Sequence, residues 1–209
     1  WQQRLDEQKA NKARFIDYLR DSMGPNGGRI PSRDQNGEPY CWMHSGVSGM
    51  MALRAMQGLP YADLSAYGPS CKIKNFRSEG GWGAEGCKFL ADNGCPTSKT
   101  WPQQSKQRSN DNAATWAEAA KYKLIEFYEL NDSDMKAEMI TVLLSGGVIV
   151  TDHNFWSHSV LTCALESINP FVTWIHNSWG DSWSENGLGK LEGSKAIASD
   201  ATAMFSTSA

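Results

Sequence analysis

Residues 41–57, CWMHSGVSGMMALRAMQ, carry apolar or small side chains almost all the way round a helical wheel. A helix of that composition has no wet face, so it must run through a core and be covered on every side. Gly58 and Pro60 end it. The rest of the chain decides what covers it. Residues 82–92 read as a second short helix, and 96–112, rich in Pro, Gln, Ser, Lys and Asn, as a loop. Beyond that the pattern changes to strand-like runs: Leu124 to Leu130, Val148 to Thr151, His158 to Leu165 and Phe171 to Asn177. One amphipathic helix, Met135 to Leu144, interrupts them, and Asn131-Asp132-Ser133-Asp134 offers its N-cap chemistry. Helix-rich first and strand-rich second is the signature of an α+β chain with its two kinds of element segregated. The expected domain is 30–209, with a helical lobe over about 30–120 and a sheet lobe over about 121–209. Residues 1–29 are expected to form an N-terminal helical arm. Leu5, Lys12, Phe15, Ile16, Leu19 and Met23 make a narrow stripe there, and Gly24-Pro25-Asn26-Gly27-Gly28 stops it. The last 18 residues, small and polar, are expected to fray.

Composition narrows the partners. The chain has 209 residues, 40% of them hydrophobic, which is ample for one domain with a core. A net charge of −3 gives nothing to recruit nucleic acid or an anionic membrane. The longest apolar stretch, Met139 to Val150, is broken by Ser145, Gly146 and Gly147. It falls far short of the ~20 residues that span a bilayer. The chain opens on Trp1 with no apolar leader, so it reads as a processed or trimmed form. The five cysteines, Cys41, Cys71, Cys87, Cys95 and Cys163, include no Cys-x-x-Cys pair. No histidine stands at zinc-finger spacing from them, so no metal is expected. An odd count leaves at least one thiol unpaired, barring an intermolecular bridge.

Cys41 is the thiol to examine. It opens the apolar helix directly after a Gly-Glu-Pro-Tyr loop, where unpaired N–H groups and the helix dipole favour a thiolate. Taken alone it would read as one more buried cysteine. Gln35, six residues earlier, could reach back and make an oxyanion hole with the Cys41 N–H. A nucleophilic thiol also needs a base, and the base needs a group that fixes its tautomer. His158 opens one strand-like run and Asn177 closes another, which supplies both. Of the other histidines, His44 sits a turn deeper on the helix of Cys41. His176 adjoins Asn177 and should face the opposite side of its strand.

These residues, in this order, resemble the papain-like cysteine peptidases. Arg33-Asp34-Gln35-Asn36-Gly37 followed by Cys41-Trp42 looks like that family's oxyanion and nucleophile segment. Asn177-Ser178-Trp179-Gly180-Asp181-Ser182-Trp183 looks like its Asn-Ser-Trp-Gly segment. Leu64-Ser65 to Cys71, Gly80-Gly81 and residues 131–150 look like further family segments, so the resemblance covers roughly 30–191.

The resemblance implies a two-lobed fold, helical on one side and an antiparallel sheet or barrel on the other, with the cleft between. It implies Cys41 as nucleophile, His158 as base and then acid, Asn177 as orienter and Gln35 as oxyanion donor. Trp179, supported by Trp183, would shield the His–Asn hydrogen bond. Gly80 and Gly81 would let a substrate backbone approach. His153 is the competitor for His158, but Asn154-Phe155-Trp156 follows it where the family carries a small residue and a valine. No metal or organic cofactor is implied. The partner is a peptide or protein substrate, and the arm is a candidate contact for an inhibitor or a larger particle. A silent binding module, or an amidase or isopeptidase, would use the same scaffold. Secreted, vacuolar or lysosomal, and viral settings all stay open.

The chain also departs from the family. A cysteine pair usual near the nucleophile is replaced by Glu38 and Ser78. Pro39-Tyr40 replaces Gly-Ser and should make the nucleophile loop stiffer and bulkier. Ser184 stands where Gly is usual, and Gly189 where a larger residue is usual. Cys71 lacks its usual partner beyond Trp101-Pro102, leaving Cys87, Cys95 or the reduced state. Trp82, Trp156 and Ser157 are candidates for the cleft wall.

Overall fold

A computed structural model of the chain describes residues 1–20, 29–130 and 132–209. Its α-helices are α1 Gln2–Ala10, α2 Phe15–Arg20, α3 Cys41–Met56, α4 Tyr67–Ile73, α5 Gly83–Asn93, α6 Ala113–Ala119 and α7 Met135–Leu144. Its strands are β1 Leu124–Glu129, β2 Val148–His153, β3 His158–Ser167, β4 Val172–His176, β5 Leu188–Glu192 and β6 Asp200–Thr207. They form one antiparallel sheet in the order β1-β6-β2-β3-β4-β5.

The apolar helix does what its composition requires. Every residue of α3 from Trp42 to Ala55 is buried. It lies against β2, β3 and β6 on one side and α5 on another. Gly49 lets it come close to the sheet, because a Cβ there would stand 2.8 Å from the Met204 sulfur and 3.2 Å from Leu161. Strands β2 and β3 are buried along almost their whole length because both sheet faces are covered. Val148, Val150, Leu161 and Cys163 pack with α3, while Ile149 and Leu165 pack with Met139 and Ile140 of α7. Alternate residues of β2 therefore serve two different cores.

Of the two forms expected for the second lobe, an antiparallel sheet or a barrel, the structure has the sheet: it is open, with β1 and β5 as edges that do not meet. The structure corrects several expectations. The C-terminal segment does not fray: β6 is an interior strand paired to β1 and β2. Its Ala201 and Ala203 are buried in the core that α7 also lines. The stripe of the arm is split over two helices. Lys12, exposed and with φ +49°, marks the break between them. The described part of the arm is also bound down. Leu5 enters the α7 core, Gln8 Nε2 donates to the Leu143 and Leu144 carbonyls at 3.2 and 3.1 Å, and Phe15 and Ile16 join the α3 core. Met23, the stop at Gly24-Pro25-Asn26-Gly27-Gly28, Asn131 and the side chain of Leu19 lie outside the described residues. The cap of α7 is Asp134, which accepts from the Ala137 N–H at 3.3 Å. Helices α4 and α6 and strand β5 were not legible in the pattern.

Candidate active site

Cys41 is the first residue of α3 and the one cysteine that is not buried. None of the five cysteines is in a disulfide, so Cys71 is reduced. Beside Cys41 lies a cavity of about 300 Å³ whose lining includes His158, Gly80, Gly81, Trp82 and Asp152. Residues from the start of α3, the 80–82 segment and the β2–β3 hairpin thus meet at one opening, although together they span more than a hundred positions of sequence.

The His158 ring is held on three sides. Its Nε2 lies 2.7 Å from Asn177 Oδ1. The Ser178 N–H donates to that same oxygen at 2.8 Å. An atom that accepts from a backbone N–H must be the amide oxygen, so Nε2 of His158 must be the donor. The neutral ring then carries its lone pair on Nδ1. Trp179 stacks on the ring at 4.8 Å between centroids, and Trp156 meets it edge-on at 4.9 Å. Those two indoles touch each other at 5.4 Å, closing water off from the His–Asn bond. Burial lowers His158 below the ordinary imidazole range, and the Asn177 hydrogen bond works in the opposite direction.

Gln35 is not in the cavity lining; it is tied to the site through Ser178. The Gln35 N–H donates to the Ser178 carbonyl at 2.9 Å, and the Ser178 hydroxyl donates to Gln35 Oε1 at 2.7 Å. That bond orients the amide so that Nε2 donates to the Glu38 carbonyl at 2.8 Å, leaving its second hydrogen uncommitted there. Ser178 therefore holds both Asn177 and Gln35. Its place between Asn177 and Trp179 is the signal in the sequence that points to it.

The remaining expected residues divide clearly. Gly80 is open on its side-chain face, as an approach path needs, but a Cβ on Gly81 would run into the Trp42 ring at 2.6 Å. Packing behind the wall requires glycine there. Trp183 packs edge-on against Trp179 at 5.9 Å, and its ring fills the space a side chain on residue 189 would need. A Cβ on Gly189 would meet it at 2.6 Å, which explains the small residue. Ser184 has φ +48°, a backbone that suits the glycine usual there. Tyr40 points away from the cavity, packs edge-on against Tyr67 at 5.4 Å and donates to the Arg77 carbonyl at 2.8 Å. Its bulk fills the helical lobe and leaves the cleft open.

The other three histidines are buried. Burial pushes His44 down to about 3, and His153 and His176 down to about 4. His153 does line the cavity, but its Nε2 is 3.2 Å from the Thr151 hydroxyl, and no carboxamide orients it. Asp152 is the carboxylate of the lining. Burial raises it, against the Ser159 hydroxyl and the Gly83 N–H that donate to it. Among the described residues no helix is long and apolar enough to cross a membrane.

No profile of a known protein family matches the chain. Cathepsin L 2 of Paramecium tetraurelia is 27% identical over 171 residues, covering 73% of this chain and 52% of that protein. The chain thus spans about half the length of the curated relative it matches. Among solved structures, xylellain, a cysteine protease from Xylella fastidiosa, superposes with a TM-score of 0.67 at 16% identity, over 89% of this chain and 85% of that one. A digestive procathepsin L2 proteinase from the Tenebrio molitor larval midgut gives 0.66 at 19% identity, over 86% and 64%. The fold is the papain-like fold of the cysteine proteases. The chain is thus similar in fold to that class, and cathepsin L 2 is a sequence relative of it at 27% identity.

Proposed function

We propose that the chain hydrolyses peptide bonds through Cys41, His158 and Asn177, with Gln35 and the helix N-terminus as oxyanion donors. The observation that carries this is the His158–Asn177 bond of 2.7 Å with its oxygen fixed by the Ser178 N–H, because it leaves Nδ1 as the base. His158 Nδ1 takes the thiol proton as Cys41 Sγ attacks the substrate carbonyl carbon. The oxyanion accepts from Gln35 Nε2–H and from the first N–H of α3. As the intermediate collapses, the C–N bond breaks and His158 gives its proton to the leaving amine. A thioester remains on Cys41. Water, deprotonated by His158, attacks it and releases the acid and the thiol. Gly80 supports the approach of an extended substrate, since nothing lies within 4 Å of its side-chain face.

Residues 30–209 make up the catalytic unit in this reading, and Leu5, Gln8, Phe15 and Ile16 of the arm are packed against it. Partners follow from the same chemistry: a peptide or protein substrate in the cleft. The inward turn of Tyr40 speaks against a silent module, because nothing bulky at 39–40 enters the cavity except Pro39. Turnover of fluorogenic peptides by the chain and by Cys41→Ser tests the proposal. Hydrolysis lost in the variant is expected, and hydrolysis that survives it refutes the assignment. A parallel isopeptide substrate separates peptidase from isopeptidase.

A further inference from the structure

We propose that Lys106, Glu38 and Ser78 form an ionic clasp that positions Gln35 for oxyanion stabilisation, in place of a covalent tie. The inference rests on the hydrolytic reading above. Lys106 Nζ lies 3.0 and 3.1 Å from the two carboxylate oxygens of Glu38 and 2.6 Å from the Ser78 hydroxyl. Glu38 and Ser78 are the two positions where the resembled family carries a cysteine pair. The bridge between them is supplied here by a third residue from a distant loop.

The clasp acts on the site through the backbone of Glu38. Its carbonyl accepts from Gln35 Nε2 at 2.8 Å, and its N–H donates to the Gln35 carbonyl at 3.1 Å. The loop that carries Lys106 touches the same turn a second time, where Gln104 Nε2 donates to the Asp34 carbonyl at 3.2 Å. That loop is itself braced, by Trp101 Nε1 on the Ser105 carbonyl at 2.9 Å and Gln103 Nε2 on the Leu64 carbonyl at 3.0 Å. Ser78 stands two residues before Gly80, so the clasp also ties the Gln35 turn to the segment that brings Gly80 into the cavity lining. Lys106 and Glu38 are each less than a third exposed, which limits screening of the pair by solvent. Burial works against the charge on Glu38, and the Ser78 hydroxyl and Lys106 ammonium outweigh it. Without the ammonium, the carboxylate would pull toward water and take the Glu38 carbonyl, and with it the Gln35 amide, out of register.

Lys106 is thus a positioning residue, distant from the reacting atoms. Deleting an oxyanion donor outright costs about 10²–10³ in kcat, so loosening one through its support is expected to cost about tenfold. The experiment measures kcat and KM on a fluorogenic peptide, and the rate of Cys41 alkylation by iodoacetamide, for the wild type, Lys106→Met and Lys106→Arg. Alkylation has no oxyanion, so it reports the thiol and His158 alone. The expected result is a kcat about tenfold lower in Lys106→Met, with KM and alkylation changed by less than about twofold, and most of kcat recovered in Lys106→Arg. An unchanged kcat in Lys106→Met overturns the clasp alone. So does a fall in kcat matched by alkylation, which would mark a merely structural role, and so does an arginine variant as slow as methionine. Absence of peptide hydrolysis in the wild type overturns the clasp and the hydrolytic reading together.

Discussion

Replacing Asn177 by alanine isolates the bond on which the hydrolytic reading depends. Asn177 Oδ1 accepts from two buried donors, His158 Nε2–H at 2.7 Å and Ser178 N–H at 2.8 Å. Alanine leaves both without an acceptor. Trp156 and Trp179 cover the ring, so water does not readily take the place of the amide. Stranding a buried donor costs about 1–3 kcal/mol. The two losses fall on different observables. The Ser178 N–H is stranded throughout the reaction, so its cost appears in stability, about 1–3 kcal/mol or roughly 2–12 °C in Tm for a chain of this size. The His158 N–H matters most when the ring becomes cationic and donates more strongly, so its cost appears in kcat. At 1.36 kcal/mol per factor of ten, 1–3 kcal/mol is about a 5- to 150-fold loss. The assay is kcat/KM on a fluorogenic peptide well below the variant's Tm, with a thermal melt alongside. A folded Asn177→Ala protein within about twofold of wild-type kcat/KM would refute the reasoning, because the ring would then be held by the indoles alone.

Three further outcomes are expected. Iodoacetamide on the native chain should label Cys41 only, since Cys71, Cys87, Cys95 and Cys163 are buried and burial pushes Cys71 up to about 11; peptide mapping that finds a second labelled site before unfolding would contradict the core described here. Gly94→Ala should lower Tm by about 6–12 °C, because φ is +82° and a Cβ would stand 2.0 Å from the Ala119 carbonyl oxygen, a clash with backbone that costs about 3 kcal/mol; an unshifted melt would show that this turn can move. Acidification should destabilise the fold. His44, His153 and His176 are buried neutral at about 3, 4 and 4, whereas the unfolded chain protonates them near 6.5. Stability is therefore full above about pH 6.5 and falls as pH drops toward 4, by up to about 1.4 kcal/mol per pH unit for each histidine. Urea midpoints from pH 8 to 4 measure it, and a flat profile below pH 6 would count against neutral burial of these rings.

Much of this molecule is local, and what is local was legible. The α3 helix follows from an all-round apolar run, and α7 matches the expected Met135–Leu144 because its apolar residues and acidic cap both lie within a short stretch. Cys41, His158 and Asn177 each stand at an element boundary that short-range pattern can find, and Gln35 stands in the loop six residues before Cys41. The interior strand β6 was misread because Ala, Thr and Ser carry almost no alternation. Its place comes from pairing to β1 and β2 and from the core that α7 also lines, both set by residues far away in sequence. The same holds at finer scale in the site. The tautomer of His158, the orientation of the Gln35 amide through Ser178, the turn of Tyr40 into the helical lobe and the bridging of Glu38 and Ser78 by Lys106 all depend on partners from different parts of the fold. A sequence carries the chemistry of its side chains and their short-range periodicity. Which donor meets which acceptor across the cleft is decided only when the two lobes pack, because a hydrogen bond needs a distance and a direction, and both are properties of the assembled chain.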